Sequence, residues 1–168
     1  MELDMKDRLL LINQYEILRR LDAANADHYE NNIKILRNGY KIFYGDLNQW
    51  LSDDMPISEG GFVFDILNIY RAIETYKRQN PEDKEVAEHA WGHFQGFDGN
   101  NEGAYHGFTL FLIEEYGRFT EQAEYRDSTD NFNTHWPTLD KYRNMVEKWE
   151  ELDKDLTTRE AIMQVLEA

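Results

Sequence analysis

The feature that most constrains this chain is the run Phe62, Val63, Ile66, Leu67, Ile69, Tyr70, Ile73 and Tyr76. Its apolar positions recur at helical spacing and cover most of the circumference, so the helix must be surrounded by protein. A second run matches it: Tyr105, Phe108, Thr109, Leu112, Tyr116 and Phe119 share one face, while Leu110, Phe111 and Ile113 make the middle apolar elsewhere. No pair of strand candidates competes with these helices. The weak alternation at Tyr40 to Tyr44 reads as a short extended piece, followed by a helical turn around Asp46 to Leu51, and has no second strand to pair with. The expected fold class is all-α: a compact multi-helix domain of about seven helices around a central apolar helix pair.

Other signals fill in that frame. Residues 5–21 form a helix with a broad buried face; Asp22 and Asn25 stop and restart the chain, and a second helix of a hairpin is closed by Gly39 in the C′ position. Ser52 to Gly61 reads as a loop. Asn80-Pro81 starts a helix that runs to about Phe94 and is ended by Gly96. Asp98 caps the next, expected from Gly99 to Gln122. A long polar loop covers 123–136, Pro137 opens an amphipathic helix, and Thr157-x-x-Glu160 is a capping box for a last helix, Thr158 to Glu167. The 168 residues are the size of one domain, 1–168, and 41% hydrophobic content is enough for one core.

Composition narrows function by exclusion. The absence of cysteine removes disulfides, thiolate chemistry and cysteine-ligated metals, and fits a reducing cytoplasm. The start of the chain is acidic and its first apolar run, Leu9 to Ile12, is too short for an export signal; Phe108 to Ile113 is too short to cross a bilayer. Neither membrane attachment nor a cofactor is expected. Net charge is −15, unevenly placed: residues 1–41 carry seven basic and seven acidic groups, so the excess falls entirely after them. That disfavours nucleic acid, except through Arg19, Arg20, Lys34 and Arg37 on the N-terminal hairpin.

Candidate sites each have a structural reading beside the functional one. His89 and His93 stand four apart on an expected helix with Glu85 a turn earlier, which is metal-ligand spacing without the internal Glu of a zincin or the E-x-x-H of di-iron bundles. Asp98, at a helix N-terminus, is a cap before it is a base. Gly103 and Gly107 each cost a helix about 1 kcal/mol relative to alanine, so close approach of another helix should compensate, within the fold or between subunits. Glu114 and Arg118 form an i,i+4 pair, structural or anion-binding; Glu102 and His106 repeat that spacing. His28, His135 and Trp136 have no evident partners. No nucleophile elbow, phosphate loop or dinucleotide fingerprint is present, so no catalytic residue is assigned.

Several uncommon strings occur in a telling order: Leu11-Ile-Asn-Gln-Tyr15, Leu21-Asp-Ala-Ala-Asn25, Gly96-Phe-Asp98, Glu102 to Gly107, and Gly117-Arg-Phe-Thr120. Together they resemble the YfbU family nearly end to end, with departures at 80–93 and 123–136. The resemblance implies an all-helical, cytoplasmic, self-associating bacterial protein with no established activity and no catalytic motif to carry over. The leading expectation is therefore a non-catalytic homo-oligomeric interaction or regulatory module; its protein partner is unknown. The alternatives are a small metal-dependent hydrolase using His89 and His93, and a DNA-binding regulator using the N-terminal hairpin.

Overall fold

A computed structural model describes residues 2–168, and among them the secondary structure is helical, with one isolated parallel bridge between Phe97 and Asn133 as the only strand-like pairing. The α-helices are α1 (Met5–Leu21), α2 (Ala26–Asn38), α3 (Ile57–Gln79), α4 (Lys84–Ala87), α5 (Gly103–Leu110), α6 (Leu139–Glu151) and α7 (Arg159–Glu167). Shorter 3-10 turns cover Ala23–Asn25, Lys41–Leu47 and Thr120–Tyr125, and Phe111–Glu115 is π-helical. None of the described helices is long and apolar enough to cross a membrane. The chain divides into two compact units, one ending at Asp54 and one spanning Met55–Ala168.

The first unit is a helical hairpin. A reciprocal capping box starts α1: Asp4 accepts the Asp7 N–H at 2.9 Å, and Asp7 accepts the Asp4 N–H at 3.0 Å. Gly39, at φ +69°, ends α2 in the left-handed conformation the sequence called for, and the Tyr40 N–H closes the cap on the Ile35 carbonyl. The helices meet through stacked Tyr15 and Tyr29 rings and through Arg19 and Arg37, which reach Glu30 and Glu16. Residues 41–47 are 3-10 helix rather than extended.

The second unit is organised around α3, which buries Val63, Ile66, Leu67, Ile69, Tyr70 and Ile73. It starts at Ile57, earlier than expected, and so includes Gly60, where a Cβ would stand 3.6 Å from the Phe108 ring of α5. Helices α5 and α6 both pack on α3, and α7 packs on α6. Between them the rings of Tyr70, Phe94, Phe97 and Tyr142 meet mostly edge to face, with centroids 5.3–6.2 Å apart. Each leucine-sized side chain buried here contributes roughly 1.5–3 kcal/mol.

Further expected elements differ. The helix expected over 81–94 is a single turn, α4, after which the chain proceeds by turns to Phe94. The long helix expected over 99–122 is interrupted: α5 passes into the π-helical segment, stops at Tyr116, and resumes as a 3-10 turn only after Phe119, whose φ is +55°. Gly117 marks that break. The stretch 123–136 is a series of tight turns that buries Phe132 completely and sends it across Gly96. The last helix is capped by Thr158, which accepts the Ala161 N–H, rather than by Thr157.

Gly96 has φ +98°, and a Cβ there would stand 1.9 Å from the Phe132 carbonyl oxygen. Both conformation and space therefore require glycine. Gly96→Ala is expected to lower the unfolding free energy by about 3 kcal/mol in urea denaturation; an unchanged midpoint would mean that the two segments do not cross there.

Candidate functional site

The second unit contains two places where buried polar groups converge. At the first, the Glu102 carboxylate is 4% exposed and accepts four hydrogen bonds. Its Oε2 takes the Asp98 N–H at 3.0 Å and lies 3.0 Å from the Thr138 hydroxyl; its Oε1 takes the N–H groups of Thr138 and Leu139 at 2.8 and 3.0 Å. The last two are unpaired donors at the start of α6, where the helix dipole also favours negative charge. Glu102 thus caps a helix that begins 37 residues later.

Asp98 has a related but more local job. Its carboxylate accepts the Asn100 N–H at 2.9 Å and the Asn101 side-chain amide at 2.5 Å, and its own carbonyl accepts the Glu102 N–H. These hydrogen bonds, that from Asn101 foremost, hold its pKa below the ordinary aspartate value. It orders the turn leading to α5 rather than capping the helix directly, since Glu102 is the residue at the cap position. A carboxylate so held is a weak base.

The second place joins Glu74 and Lys77 of α3 to Tyr125 and His93. The Lys77 ammonium donates to Glu74 Oε1 at 2.7 Å, to the Tyr125 oxygen at 3.0 Å and to the Gly92 carbonyl at 3.2 Å, which uses all three of its N–H groups. The Tyr125 hydroxyl donates to Glu74 at 2.9 Å, and burial, followed by Glu74, pushes its pKa well up. His93 stacks on the Tyr125 ring at 4.7 Å; burial and then the Lys77 charge push its pKa below the usual histidine value, which keeps it neutral at pH 7. The group is chemically dense, and the Tyr125 hydroxyl and all but one of the Lys77 N–H groups donate within it. The i,i+3 spacing of Glu74 and Lys77 inside an apolar run was a visible signal for it; the arrival of Tyr125, 51 residues from Glu74, was not.

The metal candidates do not assemble. With α4 ending at Ala87, His89 and His93 no longer share a helix face. Nδ1 of His89 accepts the Trp91 N–H at 3.1 Å, His93 lies 2.9 Å from the Gln95 amide, and Glu85 pairs with Arg159. Among the described residues no group of three or more His, Asp or Glu side chains is placed to hold a metal ion.

Glu114 and Arg118 do not pair either, because the π-helical turn and the break after it destroy the i,i+4 geometry. Glu114 pairs instead with Arg126 at 2.9 Å, and the Arg118 guanidinium lies over the Phe64 ring, 4.8 Å from its centroid. His106, the other half of the Glu102 spacing, sits 2.9 Å from the Asn131 carbonyl, and His135 pairs with Asp130 at 2.7 Å. Gly103 and Gly107 are exposed, with no atom within 4 Å of where a Cβ would stand, so no helix of the fold approaches them closely.

Glu102→Ala would leave the buried N–H groups of Asp98 and Thr138 and the half-buried one of Leu139 without their acceptor. At ~1–3 kcal/mol for each unsatisfied buried donor, a loss of at least ~3 kcal/mol is expected in urea denaturation, with Glu102→Gln falling between because one of its two acceptor atoms becomes a donor. Equal stability of Glu102→Ala and the parent would remove the capping role.

Comparison with known proteins accords with the strings noted in the sequence. A family model described as the YfbU domain matches residues 1–168. The chain is also similar to the UPF0304 protein MJECS11 of Methanocaldococcus jannaschii, at 47% identity over 165 residues that cover 96% of this chain and 97% of that protein. With the match running through every helix described above, the chain belongs to the YfbU family.

Proposed function

We propose that this protein is a non-catalytic, cytoplasmic module that works by self-association. The observation that carries the reading is the unequal burial of apolar side chains. Among the described residues, those before Asp54 bury only Ile33, Leu36 and Tyr44 of their large apolar side chains, and they leave eleven exposed. A unit of this size with so small a core ordinarily needs a staple or a partner, and the chain has no cysteine to supply the first.

In the Glu74–Lys77–Tyr125–His93 group the Tyr125 hydroxyl is committed to Glu74 and the Lys77 ammonium to Glu74, Tyr125 and Gly92, which leaves neither free as a proton donor and supports an interaction role over a catalytic one. Gly103 and Gly107, open on the surface of α5, are compatible with contact between chains but carry less weight.

Light scattering coupled to size exclusion tests the reading directly. The expected molar mass is an integral multiple of the chain mass, falling toward the monomer only on strong dilution. A monomer throughout the micromolar range would defeat the proposal.

A further inference from the structure

Helix α1 has two usable faces, and the hairpin occupies only one. Leu11, Ile12, Tyr15, Glu16 and Arg19 are half-buried on the side of α2, and α1 contains no fully buried residue at all. Leu10, Gln14, Ile17 and Leu21 follow one another at intervals of four, three and four residues, the spacing of a helix–helix seam. At 3.6 residues per turn their mean direction lies roughly 160° from the side that meets α2. Leu10, Ile17 and Leu21 are 61%, 58% and 79% exposed, with Leu18 flanking them.

We infer that this seam is the contact between two copies of the chain, α1 against α1, so that two hairpins form a four-helix bundle about a two-fold axis. The inference rests on the self-association proposed above and adds where it occurs and what occupies the surface. Three observations choose a second copy as the occupant. A heptad-like seam is self-complementary, which suits an isologous contact. The residues through Asp54 hold seven basic and ten acidic groups, whereas the remainder holds eleven and twenty-three. Two copies meeting through the acidic unit would set −12 against −12; meeting through the hairpin avoids that repulsion. The area also suffices. Leu10, Ile17, Leu21 and the flanking Leu18, 40–79% exposed, present on the order of 400 Å² of largely apolar surface along the seam. A standard interface needs ~800 Å² per partner, of which little over half is apolar.

The chain is free of cysteine, so a single substitution places one thiol where it is wanted. Gln14→Cys and Ile17→Cys lie near the middle of the seam and are expected to give mostly covalent dimer on oxidation with oxidised glutathione, at least ten-fold more than the exposed control Gln164→Cys on α7. Ile17→Asp is expected to weaken the dimer at least ten-fold with unchanged helical circular dichroism, because the side chain is exposed within its own chain. A parent that dimerises while neither seam cysteine cross-links and Ile17→Asp still dimerises would overturn the seam and leave self-association standing. A monomeric parent would overturn both, whether the seam is then covered by a different protein or by the rest of its own chain.

Discussion

The carboxylate of Glu102 is the constraint on which the middle of the second unit depends. A buried carboxylate is costly unless its oxygens are fully hydrogen-bonded, and here the partners come from the turn at Asp98 and from the start of α6. Because those partners are far apart in sequence, satisfying one side chain brings the entry of α5 and the first turn of α6 together. The neighbouring crossing is held in the same way: the Phe97 N–H reaches the Phe132 carbonyl at 2.9 Å and the Thr134 N–H reaches the Phe97 carbonyl at 3.1 Å. The crossing has its own cost. Asp130, Asn131 and Phe132 are all left-handed, at ~1–2 kcal/mol each for ordinary residues. Offsetting that are the complete burial of Phe132, the contact of His106 with the Asn131 carbonyl and the bond from Arg126 to the Asn131 side chain.

Much of this architecture is legible in the sequence where a local rule decides it. The apolar circumference of α3, the glycine that ends α2 and the periodicity of α6 each follow from spacing and residue type alone, and each stands in the structure. The errors have a common physical source. Residues 81–94 carry a strong helix start, yet after one turn the aromatic side chains Trp91 and Phe94 are drawn into the ring cluster, and packing overrides propensity. The apolar run through Phe119 looks continuous, but Gly117 and the left-handed Phe119 turn the chain so that Phe119 is buried beneath Arg71, whose guanidinium lies 4.2 Å from the ring centroid.

The candidate site residues fared according to the range of their interactions. Asp98 acts within four residues of itself, and a polar role for it was readable. Glu114 and Arg118 required a helix that does not continue through them, and the His89/His93 pair required a helix that is absent at that place. Glu102 and Tyr125 carry the two polar networks, but their partners lie 36 and 51 residues away, beyond what periodicity can report.

The contrast between the two units bears on how the hairpin holds its shape. Helical stability in proteins comes mainly from packing of an apolar face, since isolated helices of ~12–15 residues are marginal in water. The 17 residues of α1 have a capping box and several ion pairs, but such surface pairs contribute ~0–1 kcal/mol each, and no side chain of the helix is fully buried. In the proposed dimer, the seam supplies the second packed face that α1 otherwise lacks. Association and stability of the hairpin then become linked, because a partner that binds only the folded hairpin stabilises it by an amount that grows with the logarithm of its concentration. The second unit, by contrast, holds the ring cluster and the buried Glu102 carboxylate within itself. In the proposed dimer the hairpin keeps the helices it has alone and gains resistance to unfolding from its partner.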